Sequence, residues 1–471
     1  MNSAVLFTKS QDSRVLYIPQ SLATWHLILV LLCWSGCKKD SAPTEPAVTR
    51  TQLLTSTAWK VQKATSPGPL DVTAQLPIAS VSFGTDGTFS MAMIQGTWEF
   101  ASNETQILFN KATSSQMLAD VLTLTGNELS LRFNDATMGL PVPLNIQFVP
   151  APAANPSPVT NFEALWSEFN DRYSFFELKN INWDSLHVIY QARVSPNTTG
   201  ADLFSIMSSM LENLRDGHVN LITPYGRYNY LTGHGVYHLN FLGVAAVNRY
   251  TLSNLIPYAG GAISFGRIGS DIGYIYIGPA LIGDVTVWAN AIDAIVDSCS
   301  SAKWMVVDIR GNVGGNDLLA SAIASRFADG QHIFSYTRWK NGPVRGAFTS
   351  PQPTIIQIQG PAQFKGRVAL LTNRQVFSSA EEFVLMMRVF PSVTVMGDRT
   401  GGGSGNPIEL LLLNNWQYSV SRWIQYTPTM TTFEEVGLAP AIQVEISAAD
   451  SVAGRDAVLE KAIDYLRTSG Q

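Results

Sequence analysis

Val306-Val307-Asp308-Ile309-Arg310-Gly311-Asn312-Val313-Gly314-Gly315-Asn316 and Val368-Ala369-Leu370-Leu371-Thr372-Asn373-Arg374-Gln375-Val376-Phe377-Ser378-Ser379-Ala380-Glu381-Glu382 decide the fold. Each is a short apolar strand that enters a turn and then a helical pattern, over residues 318–327 in the first case and up to Phe390 in the second. Around them, residues 274–277, 304–309, 368–372 and 393–396 read as strands alternating with helices, the signature of an α/β core. Residues 455–467 close the chain with a helix whose Val458, Leu459, Ala462, Ile463 and Leu466 share one face.

The two turns also carry the chemistry. A glycine pair lets main-chain N–H groups point at an anion without obstruction by Cβ, and a serine at a helix start sits in the positive end of the dipole. A nucleophile and an oxyanion hole are therefore expected at this pair of turns. Ser378 and Ser379 each stand three residues before a glutamate, so each also fits the capping box of an ordinary helix.

Outward from the core, the organisation changes twice. Pro150-Ala151-Pro152-Ala153-Ala154-Asn155-Pro156-Ser157-Pro158 is too proline-rich to continue helix or sheet and marks a boundary over residues 150–160. After it, residues 161–224 form a helical part, with Phe162, Leu165, Trp166 and Phe169, then Leu203, Met207, Met210 and Leu214, at helical spacing. The core follows over residues 225–471, its first part, 225–262, tyrosine-rich and strand-like.

Ahead of the boundary, residues 50–149 show short alternating runs such as Val81-Ser82-Phe83, Thr97-Trp98-Glu99-Phe100 and Leu129-Ser130-Leu131-Arg132-Phe133, separated by turn signals at Thr85-Asp86-Gly87 and Gly126-Asn127. This predicts a small antiparallel β barrel. Its Trp59, Gly84-Thr85-Asp86-Gly87-Thr88-Phe89 and Gly96-Thr97-Trp98 resemble the lipocalin-like domains of bacterial lipoproteins, and a filled interior is expected.

At the N-terminus, an apolar run over residues 27–32 is too short to span a bilayer and leads into Trp34-Ser35-Gly36-Cys37. Residues 1–37 resemble a bacterial lipoprotein signal with Cys37 as the acylated residue, and residues 38–49 read as a tether. A lipid-anchored protein of the bacterial cell envelope is expected, on the outer membrane facing the periplasm or the cell surface. Cys33 leaves with the signal and Cys37 carries lipid, so Cys299 alone remains and no intrachain disulfide forms. Composition excludes one class of partner. Of 471 residues 46% are apolar and 14% charged, the net charge is -5, and no basic stripe exists to hold nucleic acid.

Of the histidines outside the signal, His218 in Asp216-Gly217-His218-Val219 follows a helix end in a loop, where polar groups face clefts. His234 and His238 are four apart, but Gly233 and Gly235 argue for strand or loop rather than a helical metal site. Glu434 and Glu435 lie in a late loop that could supply an acid to orient an imidazole.

Five motifs in order are similar to those of the C-terminal processing peptidase family, which includes tail-specific proteases and the tricorn protease core. They are Asp-Gly-His-Val at 216–219, Asp-Ile-Arg-Gly-Asn-Val-Gly-Gly at 308–315, Phe-Ser-Ser-Ala-Glu-Glu at 377–382, Gly-Asp-Arg-Thr-Gly-Gly-Gly at 397–403 and Glu-x-x-Gly-Leu-x-Pro at 434–440. The likeness covers about residues 160–468. It implies a multidomain protein with a ClpP/crotonase-like core, Ser378 as nucleophile, and the N–H groups of Ser379 and Gly314 or Gly315 as the oxyanion hole. Thr400-Gly401-Gly402-Gly403 lacks the lysine of the tail-specific branch, which points to His218 as base and Glu434, or its neighbour Glu435, as orienter. The tricorn-like pattern has a serine where this chain has Gly217. No PDZ domain fits the interval from Val219 to Ile263. The resemblance thus implies a serine peptidase acting on peptides or proteins without metal or organic cofactor; the alternative is a non-catalytic binding protein on the same fold.

Overall fold

The computed structural model describes residues 48–66, 70–71, 76, 80–91, 94–113, 116–134, 143–151, 157–234, 239–342 and 344–468. Cys37 and the other residues of the expected signal and tether up to 47 lie outside them, as does His238. No helix among the described residues is long and apolar enough to cross a membrane.

The barrel arises from strict alternation. Trp59–Ser66 pairs with Ser80–Phe83 at its start and with Leu144–Pro150 along most of its length, which closes the antiparallel sheet on itself. Ser80–Phe83, Gln106–Phe109 and Leu129–Phe133 alternate buried with partly exposed residues, as a one-sided strand must. Phe83, Phe89, Trp98, Phe109, Phe133 and Phe148 point inward and fill the interior, with Phe83 and Trp98 edge to face at 5.4 Å. Lys60 on the first strand reaches Glu168 of the following domain at 3.0 Å.

The proline stretch ends as a helix start. Pro158 takes the first helical position of Pro158–Arg172, where its missing N–H costs nothing, and the Ser157 hydroxyl caps it by accepting from Thr160 N–H. This helix, Trp183–Gln191 and Gly200–Leu211 pack with the four-stranded sheet Gly226–Asn229, Asn220–Thr223, Gln417–Ser421 and Pro407–Leu411 in one apolar cluster. Among the described residues of 225–262, only Gly226–Asn229 and Ile256–Tyr258 are strands. Tyr230–His234 and Val244–Val247 are short helices, so His234 sits on a helix despite its flanking glycines. The stacking of its ring on Tyr230 at 4.4 Å and its contact with Glu212 accompany that turn.

The core sheet runs Ile256–Tyr258, Ile263–Ile268, Ile272–Ile277, Trp304–Asp308, Arg367–Thr372, Val393–Gly397 and Ile442–Gln443, parallel from the third strand onward. Both faces are covered, which explains why these strands are apolar throughout. Val307 and Leu370 pack under helices Val285–Ser298, Asp317–Ala324 and Ser379–Arg388, while their neighbours Val306 and Leu371 pack under Ala457–Thr468. Cys299, the C-cap of the first of these helices, is a buried core residue whose thiol burial pushes up to about 11.

Candidate active site

Strands Trp304–Asp308 and Arg367–Thr372 are adjacent and parallel, so their C-terminal ends deliver both sequence turns to one place. Ser378 is the N-cap of Ser379–Arg388 and has φ 57 and ψ −129, a region that residues with a Cβ rarely occupy. Such a conformation costs on the order of 1–3 kcal/mol and persists only when its surroundings over-determine it. They do so here: the Ser378 carbonyl accepts from Glu381 N–H at 2.7 Å, Phe377 N–H donates to Asn312 O at 3.2 Å, and Gly401 N–H donates to Val376 O at 2.7 Å.

The glycine loop lies directly against this elbow. Gly314 has φ 92, and a Cβ there would fall 2.5 Å from Phe377 O and 2.8 Å from both Ser378 Cβ and Ser379 N. Only glycine allows that approach. The Gly314 N–H donates to Asn312 Oδ1 at 2.8 Å, whereas the N–H groups of Gly315 and Ser379 are donated to no described residue. The Ser379 hydroxyl turns away from a cap role and hydrogen-bonds to Gly315 O at 2.7 Å and to the Asp317 carboxyl, donating to one of the two.

A cavity of about 210 Å³ opens at Ser378, lined by Asp317, Ser379, Glu382, Ser404, Trp423 and Gln425 among others. Glu382 accepts from Gln425 Nε2 at 2.6 Å and faces Asp317. Burial raises both carboxyls; the charge of Asp317 adds to the rise at Glu382, whereas hydrogen bonds from Ser379 and Glu382 oppose it at Asp317, so the shared proton sits on Glu382 and the open chain would release it. Among the described residues no group of three or more His, Cys, Asp or Glu converges as a metal-binding set.

His218 approaches from the other side. Its ring lies 4.7 Å from the ring of Phe377, the residue before the elbow, and neither ring nitrogen has a hydrogen-bond partner among the described residues although both are buried. Burial lowers its pKa, Asp216 opposes that and Lys179 adds to it, so the imidazole is neutral. Asp216 Oδ1 accepts from His218 N–H at 2.8 Å and its Oδ2 from the Ser421 hydroxyl at 2.8 Å, which fixes the loop. The place of the missing hydroxyl is filled: a Cβ on Gly217 would meet Leu231 and Phe377 at 2.7–2.8 Å.

Glu434 is buried but engaged elsewhere. Its Oε2 accepts from Ser404 N–H and from the Ser404 hydroxyl, both at 2.9 Å, and its Oε1 pairs with Lys179 at 3.0 Å. No hydrogen bond joins it to His218. Glu435 pairs with Arg215 at 3.0 Å at the surface.

Residues 271–444 match the profile of Peptidase family S41, and residues 157–212 match that of the Tricorn protease C1 domain. The structure is similar to that of a candidate peptidase from Parabacteroides merdae ATCC 43184, with 33% identity, a TM-score of 0.61, and coverage of 67% of this chain and 98% of that one. The chain belongs to peptidase family S41. The fold is also that of mature CPAF, at 11% identity and a TM-score of 0.52, covering 67% of this chain and 98% of the other. As an S41 member the chain is a serine-type peptidase, a hydrolase.

Three groups of this S41 peptidase escape a reading of its motifs. Arg310 is wholly buried, forked between Asp308 at 2.6 Å and Asp456 at 2.8 Å, and so ties the glycine loop to the start of the C-terminal helix. Lys179 donates to Leu214 O at 3.2 Å and Arg215 O at 3.0 Å as well as to Glu434, joining the loop of His218 to the loop of Glu434. Glu381 lies under the elbow. The first could be suspected from an arginine at a buried strand end; Lys179 sits in a segment with no motif at all. The other histidines are surface pairs, His187 with Glu163 at 2.9 Å and His332 with Asp329 at 2.6 Å.

Proposed function

We propose that this S41 peptidase hydrolyses peptide bonds through an acyl-enzyme formed on Ser378. The Ser378 hydroxyl attacks the scissile carbonyl while His218 takes its proton. The carbonyl oxygen becomes an oxyanion, which accepts hydrogen bonds from the N–H groups of Ser379 and Gly315. His218 then returns the proton to the leaving amine, and the acyl group stays on Ser378 as an ester. Water, deprotonated by His218, attacks the ester and releases the acid and the free serine. Glu434 acts as orienter indirectly, by holding Lys179, which in turn holds the carbonyls of Leu214 and Arg215 ahead of His218.

The observation that carries the reading is the strained backbone of Ser378 with the Gly314–Gly315 loop packed on it. The undonated N–H groups of Gly315 and Ser379 favour Gly315 over Gly314 as the second oxyanion donor. A fluorophosphonate probe tests it: wild type is expected to label, and Ser378→Ala and His218→Ala to lose labelling. Labelling that survives both substitutions overturns the triad. The unpartnered ring nitrogens of His218 favour a second reading, a protein that binds peptides without cleaving them; absence of labelling and of hydrolysis in the wild type decides for it.

We also propose that Cys37 carries lipid and anchors the enzyme to the bacterial envelope, on the sequence pattern of residues 27–40. Cys37→Ser is expected to move the protein from the membrane to the soluble fraction.

A further inference from the structure

Glu381 sits one helical turn into Ser379–Arg388 and is completely buried, and the mechanism proposed above gives it no part. Its carboxyl group is met by four donors. Oε1 accepts from Gly402 N–H at 2.9 Å and from the Thr400 hydroxyl; Oε2 accepts from Gly403 N–H at 2.7 Å and from Ser378 N–H at 3.2 Å. Two carboxylate oxygens offer about four lone-pair sites, and three of the four partners are main-chain N–H groups that can only donate, so the set matches the carboxylate and a proton on it has the Thr400 hydroxyl as its one acceptor.

Two of these donors matter for geometry. The Ser378 N–H belongs to the residue with φ 57, and Gly402 and Gly403 belong to the loop that returns from strand Val393–Gly397 to the cavity wall. That loop is otherwise attached to the elbow by Gly401 N–H donating to Val376 O, and to the late loop by Glu435 N–H donating to Gly402 O at 2.8 Å. We infer that Glu381 is a positioning residue, whose carboxylate clamps the Ser378 backbone in its left-handed conformation and joins it to the Thr400–Gly403 loop. This rests on Ser378 being the nucleophile. A clamp of this kind acts on the rate of acylation through the orientation of the serine hydroxyl, since a small misplacement of a reacting atom costs orders of magnitude in rate.

Glu381→Gln is the informative variant because it preserves shape and removes the charge. A glutamine with its NH₂ at the Oε1 position sets that group against the Gly402 N–H while the Thr400 hydroxyl accepts from it, and in the other orientation it faces the N–H groups of Gly403 and Ser378, so at least one of the four hydrogen bonds becomes a contact between donors. Burial raises the native carboxyl to about 8 against the four hydrogen bonds, so loss of the charge and loss of a hydrogen bond act on stability in opposite directions, and folding of the variant is verified by circular dichroism. Labelling by a fluorophosphonate probe is expected to fall about tenfold to hundredfold, in the maximal rate rather than in the half-saturating probe concentration. Thr400→Val, which removes one donor, is expected to show a smaller loss of the same kind. Wild-type labelling rates in both variants overturn the inference. A crystal structure of Glu381→Gln gives a readout independent of activity: Ser378 is expected to leave the left-handed region, and an unchanged elbow and loop would overturn the clamp even if the wild type proves not to label. Wild type that fails to label, with the elbow relaxed in the variant, would instead sink the nucleophile reading and leave the clamp standing.

Discussion

The Lys179 ammonium faces the Glu434 carboxylate at 3.0 Å with both side chains almost wholly buried, and through its other donors it holds the carbonyls of Leu214 and Arg215. Glu434 and Asp216 keep this lysine charged against burial. Removing one member of such a pair leaves an unpaired buried charge, which costs about 3–5 kcal/mol. Lys179→Met is therefore expected to lower Tm strongly, and Lys179→Met with Glu434→Gln to recover part of the loss. Thermal melts of the three proteins check it; equal losses in single and double variants would contradict the pairing.

The pH dependence of acylation follows from His218. The neutral imidazole is the base, and burial with the nearby Lys179 lowers its pKa below the ordinary 6.5. The neutral form thus persists to lower pH than for an exposed histidine, and the acid limb of the labelling rate is expected below pH 6.5. Lys179→Met removes one lowering influence and is expected to move that limb upward. A limb at or above 6.5 in the wild type speaks against the assignment.

Carboxyl burial gives the opposite trend in stability. The Glu382 carboxyl is raised from 4.5 to about 8, by burial first and then by Asp317. Between these values the unfolded chain releases a proton that the folded chain holds, so the unfolded state binds fewer protons and stability falls as pH rises. Tm is expected to decline from pH 5 to pH 8, and to decline less in Glu382→Gln. Glu381, raised in the same direction, keeps the residual slope from vanishing. Parallel Tm profiles for wild type and variant would overturn the shared-proton pair.

Arg310 is the core's most demanding polar residue. Its guanidinium makes hydrogen bonds to both oxygens of Asp308 and of Asp456 and stacks 4.6 Å from the ring of Phe241. Arg310→Met leaves two buried carboxylates without their partner, and a loss of about 3–5 kcal/mol is expected in chemical denaturation. Arg310→Lys is expected to recover little of it, since an ammonium cannot match two carboxylates in the forked geometry.

What the sequence made legible was whatever depends on local pattern. Alternation in 80–83 and 129–133 specified barrel strands, and the paired strand-turn-helix units specified the parallel core and brought Ser378 to Gly314 and Gly315. Relations across long separations were not written in any local pattern. Glu434 and Lys179 are brought together by tertiary packing of the helical part against the core, and Lys179 carries no motif to announce it. The direction of Glu434, toward Ser404 and Lys179 rather than the His218 ring, depends on rotamers that its position in the 434–440 phrase does not fix. Tyr230–His234 shows tertiary contact overriding propensity, because the one glycine within it, Gly233, lowers helix preference by only about 1 kcal/mol, an amount that packing readily offsets.

Gly314→Ala separates backbone geometry from side-chain chemistry. The new methyl would lie 2.5 Å from the Phe377 carbonyl oxygen and 2.8 Å from Ser379 N, both backbone atoms, so the elbow or the loop must move. Either movement displaces one N–H of the proposed oxyanion pair, and loss of one such donor costs about 100-fold to 1000-fold in rate. Gly342→Ala is the control for the strain of positive φ alone, since Gly342 has φ 85 and open space where its Cβ would go. The expected result is labelling of Ser378 reduced by about a hundredfold in Gly314→Ala and unchanged in Gly342→Ala, with both proteins folded by circular dichroism. Because Ser378 and His218 are intact in both variants, equal labelling would mean that the close approach of the two turns contributes nothing to the chemistry.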